Sequence, residues 1–470
     1  MIKRNEQTCA RSRPLRWACP APVLATVVLA AVVLAALVGT VAAGSRPAQP
    51  EPAAPKQAMR QTTPGGSSQI SGTVFLPVMQ RCVPLDSVGL AGPETGTIGL
   101  TQTLTAMVST ASSRLPVTYT WWVGSQPAVV HAGGLEDVIE IRLERTGAYP
   151  VAVEATNGCG VVRAERVLTL TTRGLVAFER HYAAEEPHDI WLLDSAGSGM
   201  ELNLTNTPDI DEGAPTWSPD GNWLAYSAGT PGSRRAIYKM DLSSGQVTAL
   251  TDGSRDDRWP DWSPTGDRIA FMRNLPDLAP NQYYPDIWVM DTDGGSQQQL
   301  TDWLWQDDFP SWSPDGLWIA FTTDRDFNGR DLWKLEADNP THLVRLTTTA
   351  RPNPEQDERD EIYPSWSPDG WVYHTFVYSN NEHDESELLY RVRDDGSSRE
   401  QVFNDAYNRY IPSFSPDGSC FVFYSFLGGG DKEVWKWCDG YTAALNLTDN
   451  EAGDEFCAWS PVPQGSTHIP

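Results

Sequence analysis

Short apolar runs separated by turn-forming residues dominate the chain from about residue 174 to its C-terminal region. The recurring turn reads Trp-Ser-Pro-Asp-Gly or a close variant, in which Pro and Gly suit the backbone angles of a tight turn. It begins at Trp217, Trp262, Trp312, Trp366 and Phe414, and a truncated Trp-Ser-Pro begins at Trp459. A repeat at steps of 45 to 54 residues is typical of propellers and solenoids.

Each repeat predicts four short strands. An apolar, aromatic and β-branched run follows the turn, as at 223–226, and a second run opens with an acid, as at 286–291. A shorter segment ending in Leu-Thr closes the repeat, and the segment before the Trp opens it. Helical periodicity is absent from this region, which favours antiparallel strands. Four such strands form one blade of a β-propeller.

The two ends of the repeat region complete each other. Residues 174–205 carry the last three strands of a repeat without its first strand, and residues 456–461 supply a first strand with nothing after it. Joining them predicts a sixth blade that closes the ring and leaves no free sheet edge. We therefore expect six blades, with seven as the alternative.

The repeated phrase, followed by Ile-Ala-Phe and Asp-Ile-Trp-Val-Met-Asp, resembles the TolB-like, WD-like propeller repeat over residues 174–461. The fourth copy departs most, because residues 371–378 lack the simple Ile-Ala-Phe form, and Phe414 replaces the leading Trp in the fifth. The resemblance implies an all-β fold with a propeller at residues 173–465. It also implies that one face of the propeller engages protein partners.

The first 43 residues predict an export signal or membrane anchor. Basic residues precede an uncharged apolar stretch that runs from Val23 to Ala43. This layout is that of a secretory signal with small residues before Gly44, and the stretch is also long enough to remain as a transmembrane segment. In both cases the rest of the chain is expected outside the cytoplasm, with membrane contact only through this segment.

A second, smaller β-domain is predicted between the N-terminal segment and the repeats. Residues 44–81 are predicted as a linker rich in Pro, Ala and Ser. Residues 82–172 resemble a PKD-like, immunoglobulin-type β-sandwich in their runs at 117–123 and 146–158. Gly124 and the two residues after it replace the acidic Gly-Asp-Gly turn of that family. The resemblance implies a spacer or an adhesive module.

Composition and charge narrow the possible partners. A hydrophobic content of 40% and 19 Trp residues are enough for two cores. The formal net charge of −26 repels nucleic acid and argues against a nucleic-acid partner. Such a surface suits cations, a basic protein partner or a salty exterior.

The cysteines predict disulfides in an oxidising compartment. Cys420 and Cys438 flank the glycines at 428–430, so a hairpin turning there places them opposite each other. Cys82 and Cys159 are a second candidate pair, within the sandwich domain. Cys457 is expected to be a small buried residue.

Adjacent acids precede the aromatic residue in five of the six copies. They are Asp211 with Glu212, Asp256 with Asp257, Asp307 with Asp308, Asp360 with Glu361, and Asp454 with Glu455. Asn408 and Arg409 stand in the remaining copy. In register, these acids form a ring at one mouth of the channel, where the pairs at 256–257, 307–308 and 360–361 are candidate calcium ligands. All ten acids, with Arg409, are candidate contacts for a basic segment of a partner; alternatively they are solvated turn-formers.

A second candidate calcium site is the segment with Asp324, Asp326 and Asn328 before Gly329. Alternating oxygen ligands before a Gly turn begin a calcium loop, but the distal Glu of that motif is missing. The alternative is an ordinary hairpin turn of the repeat.

No catalytic motif accompanies these features: the chain lacks His-Glu-x-x-His, Gly-x-Ser-x-Gly and a phosphate-binding Gly-rich loop. We therefore predict a non-enzymatic, exported, cell-surface or extracellular binding or scaffold protein with a monomeric propeller. Calcium is its candidate cofactor, and a protein is its expected partner. The alternative is a secreted carbohydrate-active or polysaccharide-binding propeller enzyme that uses Arg409.

Overall fold

The fold is known from a computed structural model, and every regular element in its described part is a β-strand. It describes residues 83–110, 115–182, 186–274, 284–302, 305–325, 329–348, 357–380, 385–405, 407–427 and 431–462. The predicted signal or anchor and the linker lie outside these ranges, as do Cys82, Asp326 and Asn328. Within these ranges, no helix has the length and hydropathy needed to cross a bilayer.

Eight strands form two sheets at the N-terminal end of the described chain. They are β1 Ser87–Ala91, β2 Thr95–Thr97, β3 Thr101–Ser109, β4 Val117–Val123, β5 Val129–Gly133, β6 Glu136–Arg142, β7 Gly147–Thr156 and β8 Val161–Thr171. The sheet orders are β1-β3-β6 and β2-β8-β7-β4-β5. Both sheets contribute to one core, in which Trp121 is buried and donates its indole hydrogen to Asp137 at 2.7 Å. The alternating burial along β4 is what a half-buried strand requires.

The remaining strands form six four-stranded antiparallel sheets. In chain order they are β9 Leu175–His181, β10 Asp189–Asp194, β11 Glu201–Asn203, β12 Asp211–Trp217, β13 Trp223–Gly229, β14 Ala236–Asp241, β15 Val247–Ala249, β16 Asp256–Trp262, β17 Arg268–Asn274, β18 Pro285–Asp291, β19 Gln298–Gln299, β20 Asp307–Trp312, β21 Trp318–Thr323, β22 Asp331–Glu336, β23 Asn339–Arg345, β24 Asp357–Trp366, β25 Trp371–Asn380, β26 Glu385–Arg393, β27 Glu400–Gln401, β28 Arg409–Phe414, β29 Cys420–Ser425, β30 Glu433–Cys438, β31 Leu445–Asn446 and β32 Gly453–Trp459. Sheets 1 to 5 take four consecutive strands each, from β12–β15 to β28–β31, and sheet 6 combines β9–β11 with β32.

Sheet 6 joins the two ends of the repeat region. Strand β32 pairs antiparallel with β9, with Gly453 opposite His181 and Trp459 opposite Val176. The strand that opens each sheet, here called its first strand, contacts the first strand of the next sheet, and β32 also contacts β12. The six first strands therefore form a closed ring of contacts. The C-terminal strand has the partner that the sequence pattern predicted for it.

Ser and Asp of the repeated phrase hold the turn after the first strand in four of the six sheets. In sheet 1 the Ser218 hydroxyl donates to Asp220 at 2.6 Å and accepts the backbone N–H of Trp223 at 2.9 Å. Gly221 takes a positive φ of 69°, which a residue with a Cβ adopts at a cost. The same Ser-to-Asp bond recurs at Ser313, Ser367 and Ser415. The phrase is thus a self-contained hydrogen-bonded turn.

The cysteines follow the strand pairing. Cys420 and Cys438 lie opposite each other in β29 and β30 and form a disulfide. Cys159 is also disulfide-bonded, and Cys82, its predicted partner, lies outside the described residues. Cys457 is a free, buried thiol whose pKa is raised by burial. A buried thiol with a raised pKa is a poor nucleophile.

The two N-terminal sheets pack against sheets 6 and 1. The backbone N–H of Thr146 donates to the carbonyl of Leu242 at 3.1 Å, and Thr172 donates its hydroxyl hydrogen to the carbonyl of Gly221 at 3.0 Å. One hydrophobic cluster includes Trp121 from β4 and Leu224 from β13 of sheet 1. The two N-terminal sheets are therefore packed against the sheets of the repeat region.

Candidate functional site

The residue five positions before each repeat aromatic is buried in all six first strands. These residues are Glu212, Asp257, Asp307, Glu361, Arg409 and Asp454. None of them exposes more than 4% of its surface. The sequence predicted a ring of solvent-facing charges at these positions. The ring exists, but its members lie inside the protein, because each first strand turns this side chain toward a neighbouring strand rather than toward the mouth.

Three of the buried acids pair with an arginine that lies in, or two residues after, the strand paired with the first strand. The pairs are Asp257 with Arg273, Asp307 with Arg325, and Asp454 with Arg180. Arg273 lies directly opposite Asp257 on the adjacent strand, so the antiparallel register brings the two groups together. Its guanidinium donates from Nε at 2.6 Å and from Nη2 at 2.9 Å, which is the bidentate geometry of a strong ion pair.

Two more positions are paired in other ways. Glu361 lies 2.5 Å from Nε2 of His374 and 2.8 Å from Nη2 of Arg399. Arg409 has the opposite sign and pairs with Asp405, to which its Nη2 donates at 2.9 Å. These charges are committed to contacts within the protein.

Glu212 differs from its counterparts. Ala228 stands opposite it, where sheet 2 has Arg273 opposite Asp257. Burial raises the pKa of Glu212 from its ordinary 4.5 to about 7, although hydrogen bonds from Thr205 and Thr207 act to lower it. The side chain is therefore a buried acid that changes its charge near neutral pH.

The residue six positions before the aromatic has a structural role in four sheets. In each, its side-chain oxygen accepts a backbone N–H from the neighbouring sheet. The pairs are Asp211 with His188 at 3.3 Å, Asp256 with Arg235 at 3.0 Å, Asp360 with Arg330 at 2.9 Å and Asn408 with Glu387 at 3.1 Å. Asn408, which broke the acidic pattern in the sequence, makes the same bond through its amide oxygen. The bond needs an acceptor and not a charge.

Asp256→Asn is expected to change the free energy of unfolding by at most about 0.5 kcal/mol, because the amide oxygen still accepts from Arg235 and the lost ion pair with Arg258 is partly exposed. Asp256→Ala leaves that N–H without its partner and is expected to cost about 1–2 kcal/mol. Urea unfolding of both variants measures the difference. Equal losses for the two would mean that the charge of Asp256 is what matters.

The other predicted ligands are also engaged. Asp308 lies 3.1 Å from Nη1 of Arg330, and Glu455 accepts from Nζ of Lys432 at 2.7 Å. Asp324 accepts the backbone N–H of Gln306 at 2.9 Å. Across the described ranges, no three His, Cys, Asp or Glu side chains are grouped as metal ligands. These three acids thus form ion pairs or accept a backbone N–H within the protein.

A histidine pair at the seam between β9 and β32 was not predicted as part of a site. The rings of His181 and His188 stack with their centroids 4.5 Å apart. Nδ1 of His188 lies 3.5 Å from Glu179, and Nε2 of His181 lies 3.6 Å from Glu455. Burial acts to lower the pKa of His188, but its hydrogen bond to Glu179 raises it overall. The seam therefore carries titratable groups beside the mouth.

The residue three positions before each repeat aromatic points to the axis of the ring. These residues are Ala214, Trp259, Phe309, Tyr363, Ile411 and Phe456. All six have positive φ, between 42° and 59°, and each lies where the pairing of its strand shifts register. A β-bulge bends the strand and re-aims a side chain, at the cost of an unfavourable backbone angle for a bulky residue. The bulge is what brings these side chains together.

Four of these side chains form an aromatic cluster at the axis, here called the axial cluster. Trp259 lies 5.0 Å from Phe309 and 4.6 Å from Phe456, measured between ring centroids, and Phe309 lies 4.2 Å from Tyr363. The rings meet at tilted and edge-to-face angles, as aromatic quadrupoles prefer. The channel is therefore crowded by apolar rings at this level.

A cavity of about 160 Å³ adjoins the axial cluster. Prolines and small polar residues from the ends of the first strands complete its wall, and Asp261 is among them. Asp261 accepts the backbone N–H of Trp312 at 2.7 Å and the hydroxyl of Thr216 at 3.4 Å. Burial raises its pKa from 3.8 to about 6.

Three exposed aromatic side chains lie around the mouth near the buried ring. We call Tyr182, Tyr407 and Phe426, which are 63%, 54% and 40% exposed, the mouth patch. Tyr182 follows the end of β9, Tyr407 precedes β28, and Phe426 follows β29, whose last residue pairs with Arg409. The strand register thus places all three at the ends where the buried charges lie. They were not among the predicted site residues.

Residues 278–463 match the protein family described as "TolB beta propeller domain". The matched residues make up less than half of the 470-residue chain. Among curated relatives, an uncharacterized protein of Agrobacterium fabrum is 31% identical over 88 residues, which cover 19% of this chain and 29% of the relative. The Tol-Pal system protein TolB of Alcanivorax borkumensis is 32% identical over 95 residues, which cover 20% of this chain and 21% of that protein. The matched part is less than a third of either relative.

Two solved structures are similar to this chain in fold. TolB from Acinetobacter baumannii gives a TM-score of 0.49 at 17% identity, over 74% of this chain and 84% of that chain. The putative TolB from Agrobacterium tumefaciens gives a TM-score of 0.44 at 22% identity, over 61% of this chain and 99% of that chain.

Proposed function

We propose that this protein is an exported binding or scaffold protein whose propeller engages a protein partner at the channel mouth. In this proposal the six sheets are the six blades of one monomeric propeller at residues 173–465, and the PKD-like sandwich at residues 82–172 is a spacer. The basic, then apolar, N-terminal sequence supports export. The match of residues 278–463 to the TolB propeller family supports a binding role.

The mouth patch is the observation that carries the proposed binding surface. Its three aromatic side chains are between 40% and 63% exposed, at the end of a ring whose charged side chains are buried. Exposed aromatic residues are enriched at protein interfaces and dominate their energetics. Because the ring charges are buried, partner contact falls to these rings and to the polar groups beside them.

Charge favours a partner with a basic segment. The net charge of the chain is −26, so its long-range field attracts positively charged proteins and speeds their encounter. The Lys432 ammonium lies 5.6 Å from the ring of Phe426 and is paired with Glu455, which offsets its positive charge.

Two other predicted roles receive less support. No three metal-ligating side chains are grouped in the described ranges, so calcium is not part of this proposal. Arg409, the residue expected to act in a carbohydrate-active enzyme, is 4% exposed and pairs with Asp405. A guanidinium so placed does not reach a substrate at the surface.

The double substitution Tyr407→Ala with Phe426→Ala is expected to weaken partner binding at least tenfold, because truncating central aromatic contacts of an interface costs more than about 1 kcal/mol each. The partner is first identified by affinity capture with the full chain and then purified. Its dissociation constant is measured by calorimetric titration against wild type and variant.

Tyr441→Ala is the matched control for this substitution. Tyr441 is 40% exposed and follows the opposite end of its sheet, after Cys438. It is expected to bind the partner as wild type does. Unchanged affinity in the double variant, or an equal loss in the control, would refute the mouth patch as the binding surface.

A further inference from the structure

We propose that the cavity beside the axial cluster binds a small organic cation, with Asp261 as its counter-ion and the aromatic rings of the cluster as its second contact. This site is distinct from the mouth patch and does not depend on the proposed protein partner. It rests on three features of the cavity: its charge, its aromatic wall and its size.

Asp261 is the one charged group in the described wall of the cavity. The other titratable lining groups are Tyr363 and Cys457, and burial raises the pKa of each well above neutrality, so both are uncharged at pH 7. Lys, Arg and His are absent from the described lining residues. Asp261 accepts hydrogen bonds from the backbone N–H of Trp312 and the hydroxyl of Thr216, which carry no net charge.

An uncompensated carboxylate in a confined space favours a bound cation. Buried acids of the ring such as Asp257, which pairs with an arginine, obtain their counter-charge from the protein. The Asp261 side chain lines the cavity, and the residue is only partly exposed. Hydrogen bonds relieve part of the cost of a charge in low dielectric, and an opposite charge relieves more of it. A cationic ligand supplies that opposite charge.

The aromatic wall selects the kind of cation. Trp259, Phe309 and Phe456 line the same cavity as Asp261. The faces of aromatic rings attract ammonium and guanidinium groups, most strongly where water is excluded. The prolines of the wall favour a ligand with an apolar body. These contacts suit an alkyl or aryl amine better than a hydrated metal ion.

The volume of the cavity limits the size of the ligand. At about 160 Å³ it is close to the engineered apolar cavity of about 150 Å³ that accepts benzene. A ring of that size bearing one aminomethyl group is a suitable probe.

The test compares benzylamine, charged at pH 7.5, with benzyl alcohol, its neutral counterpart of nearly equal size. Saturation-transfer NMR and chemical-shift titration on the full chain give both dissociation constants. Benzylamine is expected to bind at least tenfold more tightly than benzyl alcohol. Asp261→Asn, which retains an oxygen to accept from Trp312, is expected to abolish that preference. Asp209→Asn, an exposed acid outside the cavity, is expected to preserve it.

Three outcomes would overturn the proposal: equal binding of the two probes, no binding of either, or an unchanged preference in Asp261→Asn. Calcium is titrated as a further arm, and displacement of benzylamine by calcium at equal concentration would assign the site to a metal ion instead. Urea unfolding of Asp261→Asn establishes that a loss of binding is not a loss of fold. The mouth patch is untouched by these variants, so their result is independent of partner binding.

Discussion

Asp454→Ala is expected to destabilise the protein by about 3–5 kcal/mol, the usual cost of removing one partner of a buried ion pair. Asp454 is fully buried, and Arg180 is 3% exposed. The guanidinium donates to the carboxylate from Nε at 2.6 Å and from Nη2 at 2.8 Å. Without Asp454, the Arg180 charge stays buried with only Glu201 as its remaining carboxylate partner among the bonds described.

The location of this pair makes its loss a test of ring closure as well. Arg180 lies in β9 and Asp454 in β32, the two strands that join the ends of the repeat region. Loss of the pair is therefore expected to speed proteolysis within the C-terminal strand before the rest of the chain is cut. Urea unfolding gives the free energy, and mass spectrometry of timed digests gives the first cleavage site.

Two further variants separate the ion pair from general damage at the seam. Replacing both partners, as in Arg180→Met with Asp454→Leu, removes the uncompensated charge and is expected to recover most of the loss. Asp449→Ala, an exposed acid just before β32, is expected to change stability by less than about 0.5 kcal/mol. A double variant as unstable as Asp454→Ala would show that the charge is not the cause.

The sequence was sufficient to predict the strands and the partner of the last strand. The repeated turns mark the end of each first strand. The unit at 174–205 lacks only its first strand, and the segment at 456–461 supplies one. Both signals are local: turn chemistry and short apolar runs depend little on distant residues. The pairing of β32 with β9 follows from them.

The burial of the acidic ring could not be predicted from the acids alone. Their spacing indicated a common level, but their partners lie elsewhere in the sequence: Arg273 is 16 residues from Asp257, and Arg180 is 274 residues from Asp454. A signal for them exists: Arg180 and Arg273 each stand two residues after the Phe of the second strand. Cross-strand register then places these arginines opposite Asp454 and Asp257. Reading both strands together would have indicated ion pairs rather than a metal site.

The axial cluster was less accessible to sequence reasoning. Positive φ is usually a property of Gly, yet Trp259 and the β-branched Ile411 adopt it. Propensity therefore argues against a bulge at these positions. The cause is collective, because six first strands converge on one axis and each must bend to seat its inward side chain. Convergence of this kind is a property of the closed ring and not of any one repeat.

Glu212→Gln is expected to stabilise the protein at alkaline pH and to have little effect in acid. In the folded protein burial raises the pKa of Glu212 to about 7, whereas the ordinary value is 4.5. Between these values the folded state binds more protons than the unfolded state, so the contribution of this group to stability falls as pH rises. Above pH 7 the ionised Glu212 destabilises the folded state by its full amount, which is about 3 kcal/mol for a pKa difference of this size.

The glutamine keeps an oxygen that accepts from Thr205 and Thr207 but does not ionise. The stability difference between Glu212→Gln and wild type is therefore expected to grow by about 3 kcal/mol from pH 4.5 to pH 8. Urea unfolding across this range measures it. The difference is the informative quantity because Glu433, whose pKa burial also raises to about 7, bends both curves alike. Glu451→Gln, an exposed control, should give a constant offset. Parallel curves of unfolding free energy against pH for Glu212→Gln and wild type would mean that Glu212 is hydrated or paired with a cation. Its charge would then not destabilise the folded state.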